Sequence, residues 1–504
     1  MREAPALLGA LGSPWDLRIG GRPGRATSSA TVMVRSPATG ELLAIVPDAG
    51  GADVAAATAA ASAAFPSWSG LPPEDRARVL FALAAIVRER IASLADLESA
   101  VTGRPIREMR AQMSRIPEWL EFFAAAAMTL EAEANHLRGG FLTYTRHEPH
   151  GVCALLTPWN HPVLILVKKL SAALAAGNTV VVKPSELAPV SPLVLADWAT
   201  EAGLPGGVLN VVTGGPATGA HLVAAPAVAH IDLTGGTATG RRIAAAAGER
   251  LVPTVMELGG KAPVIVADDV DLDEAVAGAT FAAFVAAGQT CVSGTRFIVE
   301  DGVYDAFVER LAARARSLRV GDPADPATDM GPVISAAARA RCLDHVAAAL
   351  AEGGRLVAGG GVPALPAPFD RGHFVEPTVF ADVRPDARLF REEVFGPVVA
   401  ATRARDEAEA LALANDCEFA LGASVWCRDV AKAHRLAGAV RAGVVWINDH
   451  HKNDPRSVWG GFGASGWGKE NGWDALKGYL RKRSVVVRTS PSFGDWFAGG
   501  ARYG

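Results

Sequence analysis

Residues 284–297 read FVAAGQTCVSGTRF, one cysteine among glycine, threonine, serine and small apolar residues. A thiol in such a setting is either a nucleophile or a buried and inert group, and free cysteine is by default the latter. Four upstream stretches also carry chemistry. In LTPWNHPV, Asn160 ends a β-like run, where its side-chain amide could donate to an oxyanion or simply shape the turn before Pro162. In VVVKPSELAP, Lys183 closes a strand and Glu186 follows within a turn; the pair suits ribose hydroxyls, or else is a solvated lysine beside a helix-capping glutamate. VVTGGPATG and DLTGGTATGRRI place glycines ahead of helices, where backbone N–H groups can approach a pyrophosphate, although strict GxGxxG spacing is missing. In VMELGGKAP, Glu257 ends a strand before two glycines. A carboxyl held dry there would have a raised pKa and take a proton from water near neutral pH; the alternative is an ion pair with Lys261 or Arg296.

The elements that must position these residues follow from periodicity. Residues 53–133 are rich in Ala, Leu, Arg and Glu, with apolar residues at helical spacing, which predicts a helical layer. From residue 150 short branched runs bounded by Gly, Asn or Pro alternate with helix-like segments, the order of a parallel sheet covered on both faces. The alternation resumes after about residue 259 and implies a second α/β domain. KRSVVVRTS near the end reads as a lone strand in need of a partner, and FLTYTRHE at 141–148, on this or another subunit, is the candidate. The closing PSFGDWFAGGARYG reads as a docked extension.

At 504 residues the chain implies two or three domains. A net charge of −4 gives no field to draw nucleic acid or an anionic membrane, and neither is expected as a partner. The five cysteines show no CxxC spacing, which argues against a disulfide framework or a zinc site and fits a reducing, cytoplasmic compartment. The apolar runs fall short of a membrane span, and the first residues read as a loose arm and not a signal peptide.

The order of these motifs, PWN, KPSE, ELGGK, GQTC, EEVFGPV and GGFGASGWGKENG, resembles the aldehyde dehydrogenase superfamily over about residues 19–487. The resemblance implies an α/β fold: a Rossmann-type cofactor domain at 1–133 and 150–257, a catalytic α/β domain at 258–458, and a small β oligomerisation arm at 134–149 and 475–504 that includes the C-terminal extension. It implies NAD-dependent oxidation of an aldehyde to the acid through a cysteine thiohemiacetal and thioester. Cys291 would be the nucleophile, Asn160 with the Cys291 N–H the oxyanion donors, Glu257 the base that activates water, and Lys169 and Glu470 the relay that carries its proton away. For the cofactor it assigns Trp159, Lys183, Glu186, Gly219, Gly235, Gly236, Leu258, Glu393 and Phe395. Glu186 favours NAD, with NADP as the other candidate. No metal is implied, and the expected assembly is a homodimer or homotetramer.

Two departures fall beside the site: Ala286 stands where the family has asparagine, and Gly236 where it has serine. A third concerns the substrate tunnel. His161, Ile165, Lys168, Thr290, Val292, His451, Asn453 and Trp459 give a more polar lining than simple aliphatic aldehydes need, which points to an aromatic or carboxylated aldehyde, with Lys168 either meeting an anion or pointing to solvent. The rival readings are a CoA-acylating relative, which would dispense with Glu257, and a non-catalytic protein on the same fold.

Overall fold

The computed structural model describes residues 8–9, 11–12, 14–490 and 495–500. The expected N-terminal arm and the closing extension therefore fall in part outside the described residues. An eight-stranded sheet runs Arg22–Gly24, Leu17–Ile19, Leu209–Val211, Thr179–Pro184, Val152–Thr157, Val228–Thr234, Thr254–Glu257 and Gly466–Trp467. From Leu209–Val211 to Thr254–Glu257 every pairing is parallel, and the outer strands are antiparallel. Val152–Thr157 and Thr179–Pro184 are buried at every residue, as parallel strands covered on both faces must be. The two-residue period of the strand divides the core: Cys153 and Leu155 pack with helix Pro162–Ala175, while Val152, Ala154 and Leu156 pack with Val54, Ala57 and Ala61 of helix Gly51–Ser69.

A seven-stranded sheet runs Arg355–Ala358, Thr378–Ala381, Val398–Ala404, Gly294–Glu300, Ala262–Val266, Gly422–Trp426 and Val444–Ile447. Only its first strand is antiparallel to its neighbour. A third sheet joins Leu480–Arg488, Phe141–Pro149 and Ala134–Leu137, all antiparallel. The terminal strand thus finds its partner in its own chain, in register from Leu480↔Pro149 to Arg488↔Phe141. Among the described residues no helix is long and apolar enough to cross a membrane.

The two large sheets feed the site from opposite strand ends. Trp159 and Asn160 follow the carboxyl end of Val152–Thr157, Lys183 closes Thr179–Pro184, Gly235 follows Val228–Thr234 and Glu257 ends Thr254–Glu257, the usual ligand edge of an open parallel sheet. Cys291 and Glu393 instead precede the amino ends of Gly294–Glu300 and Val398–Ala404.

Candidate active site

The cysteine loop begins where helix Leu272–Phe284 stops. Ala286, Ala287 and Gly288 then take φ of +55°, +53° and +69°. Left-handed backbone costs a Cβ-bearing residue about 1 kcal/mol or more, so neighbours must hold the turn. The Ala286 N–H donates to Glu108 Oε2 at 3.1 Å, and the Gln289 side chain donates to the Ala286 carbonyl at 3.1 Å while its Oε1 accepts from Ile334 N–H at 2.9 Å. Asn160 Nδ2 donates to the Gln289 carbonyl at 2.9 Å. Among the described residues no acceptor takes the second N–H of that amide.

Cys291 is half-buried, and its carbonyl lies so close to Gly260 that a Cβ there would strike it. Burial, and then the charge of Glu257, push the thiol up to about 12, with Lys168 opposing. The resting group at neutral pH is therefore a thiol, and a nucleophile forms there only as its proton leaves. Thr290 is buried with no partner for its hydroxyl among the described residues, and the Val292 carbonyl accepts from His450 Nε2 at 2.7 Å.

Glu257 is 3% exposed, and neither carboxylate oxygen has a hydrogen-bond partner among the described residues. Burial and the charge of Glu470 raise its pKa well above the carboxylate range, against the pull of Lys169 and Lys168. Gly460, at φ +135°, leaves room for it, since a Cβ at that position would meet Glu257 Oε1. Behind it Glu470 accepts from Lys169 at 2.6 Å and from Lys168 at 3.0 Å, Lys169 also pairs with Asp232, and the Tyr479 hydroxyl donates to Asp232. Burial would lower the Lys169 ammonium, but Asp232 and Glu470 outweigh it and hold it above its ordinary value. Lys168 neither points to solvent nor stands free for a substrate anion. It is buried, paired with Glu470, with its ammonium 4.5 Å from the centre of the Trp459 ring.

On the other side of Asn160, Lys183 is buried and 3.3 Å from the partly exposed Glu186. Gly219 lies in helix Pro216–Ala224 against Leu156 and Lys183, where a Cβ would come to 3.7 and 4.0 Å. The Gly235 N–H is taken by the Glu257 carbonyl at 3.0 Å, whereas Gly236 caps helix Thr237–Glu249 with open space where its Cβ would be. The Leu258 N–H donates to the Ser465 carbonyl, and its side chain packs on Gly240. Glu393 accepts from Gly260 N–H at 2.8 Å, burial raises it to about 7, and a Cβ on Gly259 would strike its carboxylate. Trp159 and Phe395 meet edge to face at 5.5 Å. Carboxylates that accept from hydroxyls and a helix N-terminus whose N–H groups, beside an open glycine, donate to phosphates are a set of groups that fits a dinucleotide.

Of the tunnel residues, His161 and His451 lie 6.2 Å apart. Burial and Arg104 hold His161 well below the usual imidazole range, and burial takes His451 down to about 3, so both are neutral. Ile165 and Val292 are buried, and Val292, Trp446 and Trp459 pack with Cys291. Asn453 is bound into the structure: its Oδ1 accepts from Asn471 at 2.9 Å and its carbonyl from Arg115 at 2.5 Å. A cavity of about 520 Å³ opens beside His451 and is lined by Arg104, Gln112, Arg115 and Phe281 among others.

Arg104 and Glu108 are residues that sequence reasoning missed. Arg104 donates to the Asn160 carbonyl at 3.1 Å, meets His161 Nδ1 at 2.6 Å and pairs with Glu108. The pair thus ties the Asn160 turn to Ala286 in the cysteine loop. The signal for it was slight, an arginine between Gly103 and Pro105 at a break between helices.

A model of the aldehyde dehydrogenase family matches residues 25–485. Betaine aldehyde dehydrogenase of Brucella anthropi is 43% identical over 452 residues, 90% of this chain and 92% of that protein. Among solved structures, PnpE from Pseudomonas sp. WBC-3 superposes with a TM-score of 0.94 at 41% identity, covering 96% of this chain and all of that one. Betaine aldehyde dehydrogenase of Staphylococcus aureus in complex with NAD+ does so with a TM-score of 0.95 at 33% identity, covering 98% of each chain. With a family match that spans nearly the whole sequence and close relatives over nine-tenths of it, the chain belongs to the aldehyde dehydrogenase family.

Proposed function

We propose that the protein oxidises an aldehyde to its carboxylic acid with NAD, through a covalent intermediate on Cys291. The observation that carries this reading is the convergence of a half-buried thiol, an amide with an unclaimed N–H and a carboxylate with two unclaimed oxygens at the meeting of the two sheets. As the thiol proton leaves, sulfur adds to the aldehyde carbon, and the new oxyanion lies toward Asn160 Nδ2 and the Cys291 N–H. NAD, when bound, supplies the hydride acceptor. Glu186 and Lys183 would hold one ribose, Glu393 the other, and Gly236 with its helix the phosphates, with Trp159 and Phe395 as walls.

Glu257 then takes a proton from water, the water oxygen adds to the thioester carbonyl, and the carbon–sulfur bond breaks to release the acid. Lys169 and Glu470 would relay the proton that Glu257 sheds: the Lys169 ammonium gives one of its own protons onward through Glu470 to water as it takes the new one, so neither group ends with a changed charge. Because burial and the charge of Glu470 raise the pKa of Glu257, this step should grow as rising pH ionises the carboxyl. A substrate with aromatic or carboxylate character is supported by the neutral imidazoles and arginines around the cavity.

We place the cofactor domain at 1–133 and 150–257, the catalytic domain at 258–458 and the arm at 134–149 with 475–504. The exposed Leu137, Val486 and Val487 of the arm sheet support assembly as a homodimer or homotetramer. The test is NADH formation at 340 nm with a panel of aliphatic, aromatic and ω-carboxylated aldehydes, for wild type and Cys291→Ala. Turnover lost in the variant is expected; turnover that survives it would sink the reading.

A further inference from the structure

Helix Pro162–Ala175 is buried at every one of its 14 residues, yet carries two adjacent lysines. Lys169 has Asp232 and Glu470 for partners. Lys168 has half a share of Glu470 and one aromatic face, that of Trp459 at 4.5 Å. An ammonium within about 6 Å of a tryptophan ring centre occupies the seat that a quaternary ammonium ligand would otherwise take. Trp446 stands edge to face against the same ring at 6.1 Å, so the ring is contacted by a second aromatic as well.

This seat belongs to the reacting centre. Trp459 packs in the same cluster as Val292 and Cys291. The charge of Lys168 is felt at Cys291, Glu257, His161 and His451. The acids that could balance an incoming cation are already committed. Glu470 serves two lysines, Glu108 serves Arg104, and burial favours the neutral form of Glu257.

Resting on the reading above, we infer that Lys168 is a charge filter for the substrate: it fills the Trp459 face and bars trialkylammonium aldehydes, leaving neutral and anionic aldehydes as the substrate class. The relatives named betaine aldehyde dehydrogenase, at 43% identity, do not carry their substrate over to this chain.

The test compares betaine aldehyde with 3,3-dimethylbutanal, which has the same shape with carbon in place of the charged nitrogen, and with succinic semialdehyde as an anion. Two like charges about 5 Å apart in an effective dielectric of about 20 repel by a hundredfold or more in equilibrium terms. Wild type should therefore show kcat/KM for betaine aldehyde about a hundredfold below that for 3,3-dimethylbutanal. In Lys168→Met that ratio should rise at least tenfold, and in Lys168→Arg it should stay low. Equal use of the two aldehydes by wild type, or a ratio that Lys168→Met leaves unmoved, overturns the filter.

The wild-type ratio stands even where a variant fails to fold. Calorimetric binding of choline against 3,3-dimethylbutan-1-ol repeats the comparison without turnover, the alcohol expected to bind and choline not. Tighter binding of choline would refute the filter on its own, while failure of every aldehyde to reduce NAD would count against the aldehyde dehydrogenase reading instead.

Discussion

Glu470→Gln removes one negative charge from a buried cluster that also holds Lys168, Lys169 and Asp232. Burial would raise the Glu470 carboxyl, but Lys169 and Lys168 outweigh it and bring it to about 2 from an ordinary 4.5. At about 1.4 kcal/mol per pH unit, that difference stabilises the folded chain by about 3 kcal/mol at neutral pH. Because the folded value is depressed, the contribution is complete above pH 4.5 and lost as pH falls through about 2. The variant should be less stable than wild type by about 3 kcal/mol at pH 7, in line with the cost of breaking a buried ion pair, and the gap should be the same at pH 6.

The same change acts on Glu257, whose pKa Glu470 raises second only to burial. A like charge on the order of 5–10 Å away in an effective dielectric of about 20 is worth roughly 2 kcal/mol, or about 1.5 pH units. Freed from Glu470, the two lysines pull Glu257 in the same direction. Since the base works ionised, the acid limb of kcat should move down by 1 to 2 pH units, on the order of that Coulomb figure, when NADH formation is followed from pH 5 to 9. Urea unfolding unchanged from wild type, or an acid limb that stays or moves up, would refute the reasoning.

Glu108→Ala takes away the acceptor of the Ala286 N–H and the partner of Arg104, and kcat should fall about 10- to 100-fold, the equivalent of 1–3 kcal/mol for a buried unsatisfied group, with KM for NAD nearly unchanged. Gly460→Ala puts a methyl group against Glu257 Oε1; thioester hydrolysis should become rate-limiting, seen as a burst of NADH before a slow steady state. Glu186→Ala removes the carboxylate that repels a 2′-phosphate, and the NAD to NADP ratio of kcat/KM should drop about tenfold or more.

The parallel, doubly covered sheet was legible because short apolar runs such as VVVKP and VCALLT, which the structure buries at every residue, alternate with helix-like segments, and the terminal strand advertised its need of a partner; the order of the strands was not read from the sequence. The approach of Cys291, Glu257 and Asn160 was carried by motif order. Lys168 was ambiguous for a physical reason. PVLILVKKLSAALA is apolar all round, which should have buried its lysines, but the carboxylate that makes this tolerable lies at Glu470, beyond any local pattern. Arg104 and Glu108 escaped in the same way. They lie on and before helix Ile106–Met113 and act on residues 56 and 178 positions away. Ala286 looked like a missing side chain, whereas the loop is held through its backbone N–H by Glu108.

The central claim is that Cys291 carries the acyl group and Glu257 removes it. The most direct measurement is peptide mass spectrometry of Glu257→Gln enzyme quenched after mixing with NAD and the best aldehyde of the panel. The account predicts one acyl adduct, on the peptide that contains Cys291, which decays far more slowly than in wild type. An adduct on Cys153, Cys342, Cys417 or Cys427, or turnover at the wild-type rate with no adduct at all, would contradict it.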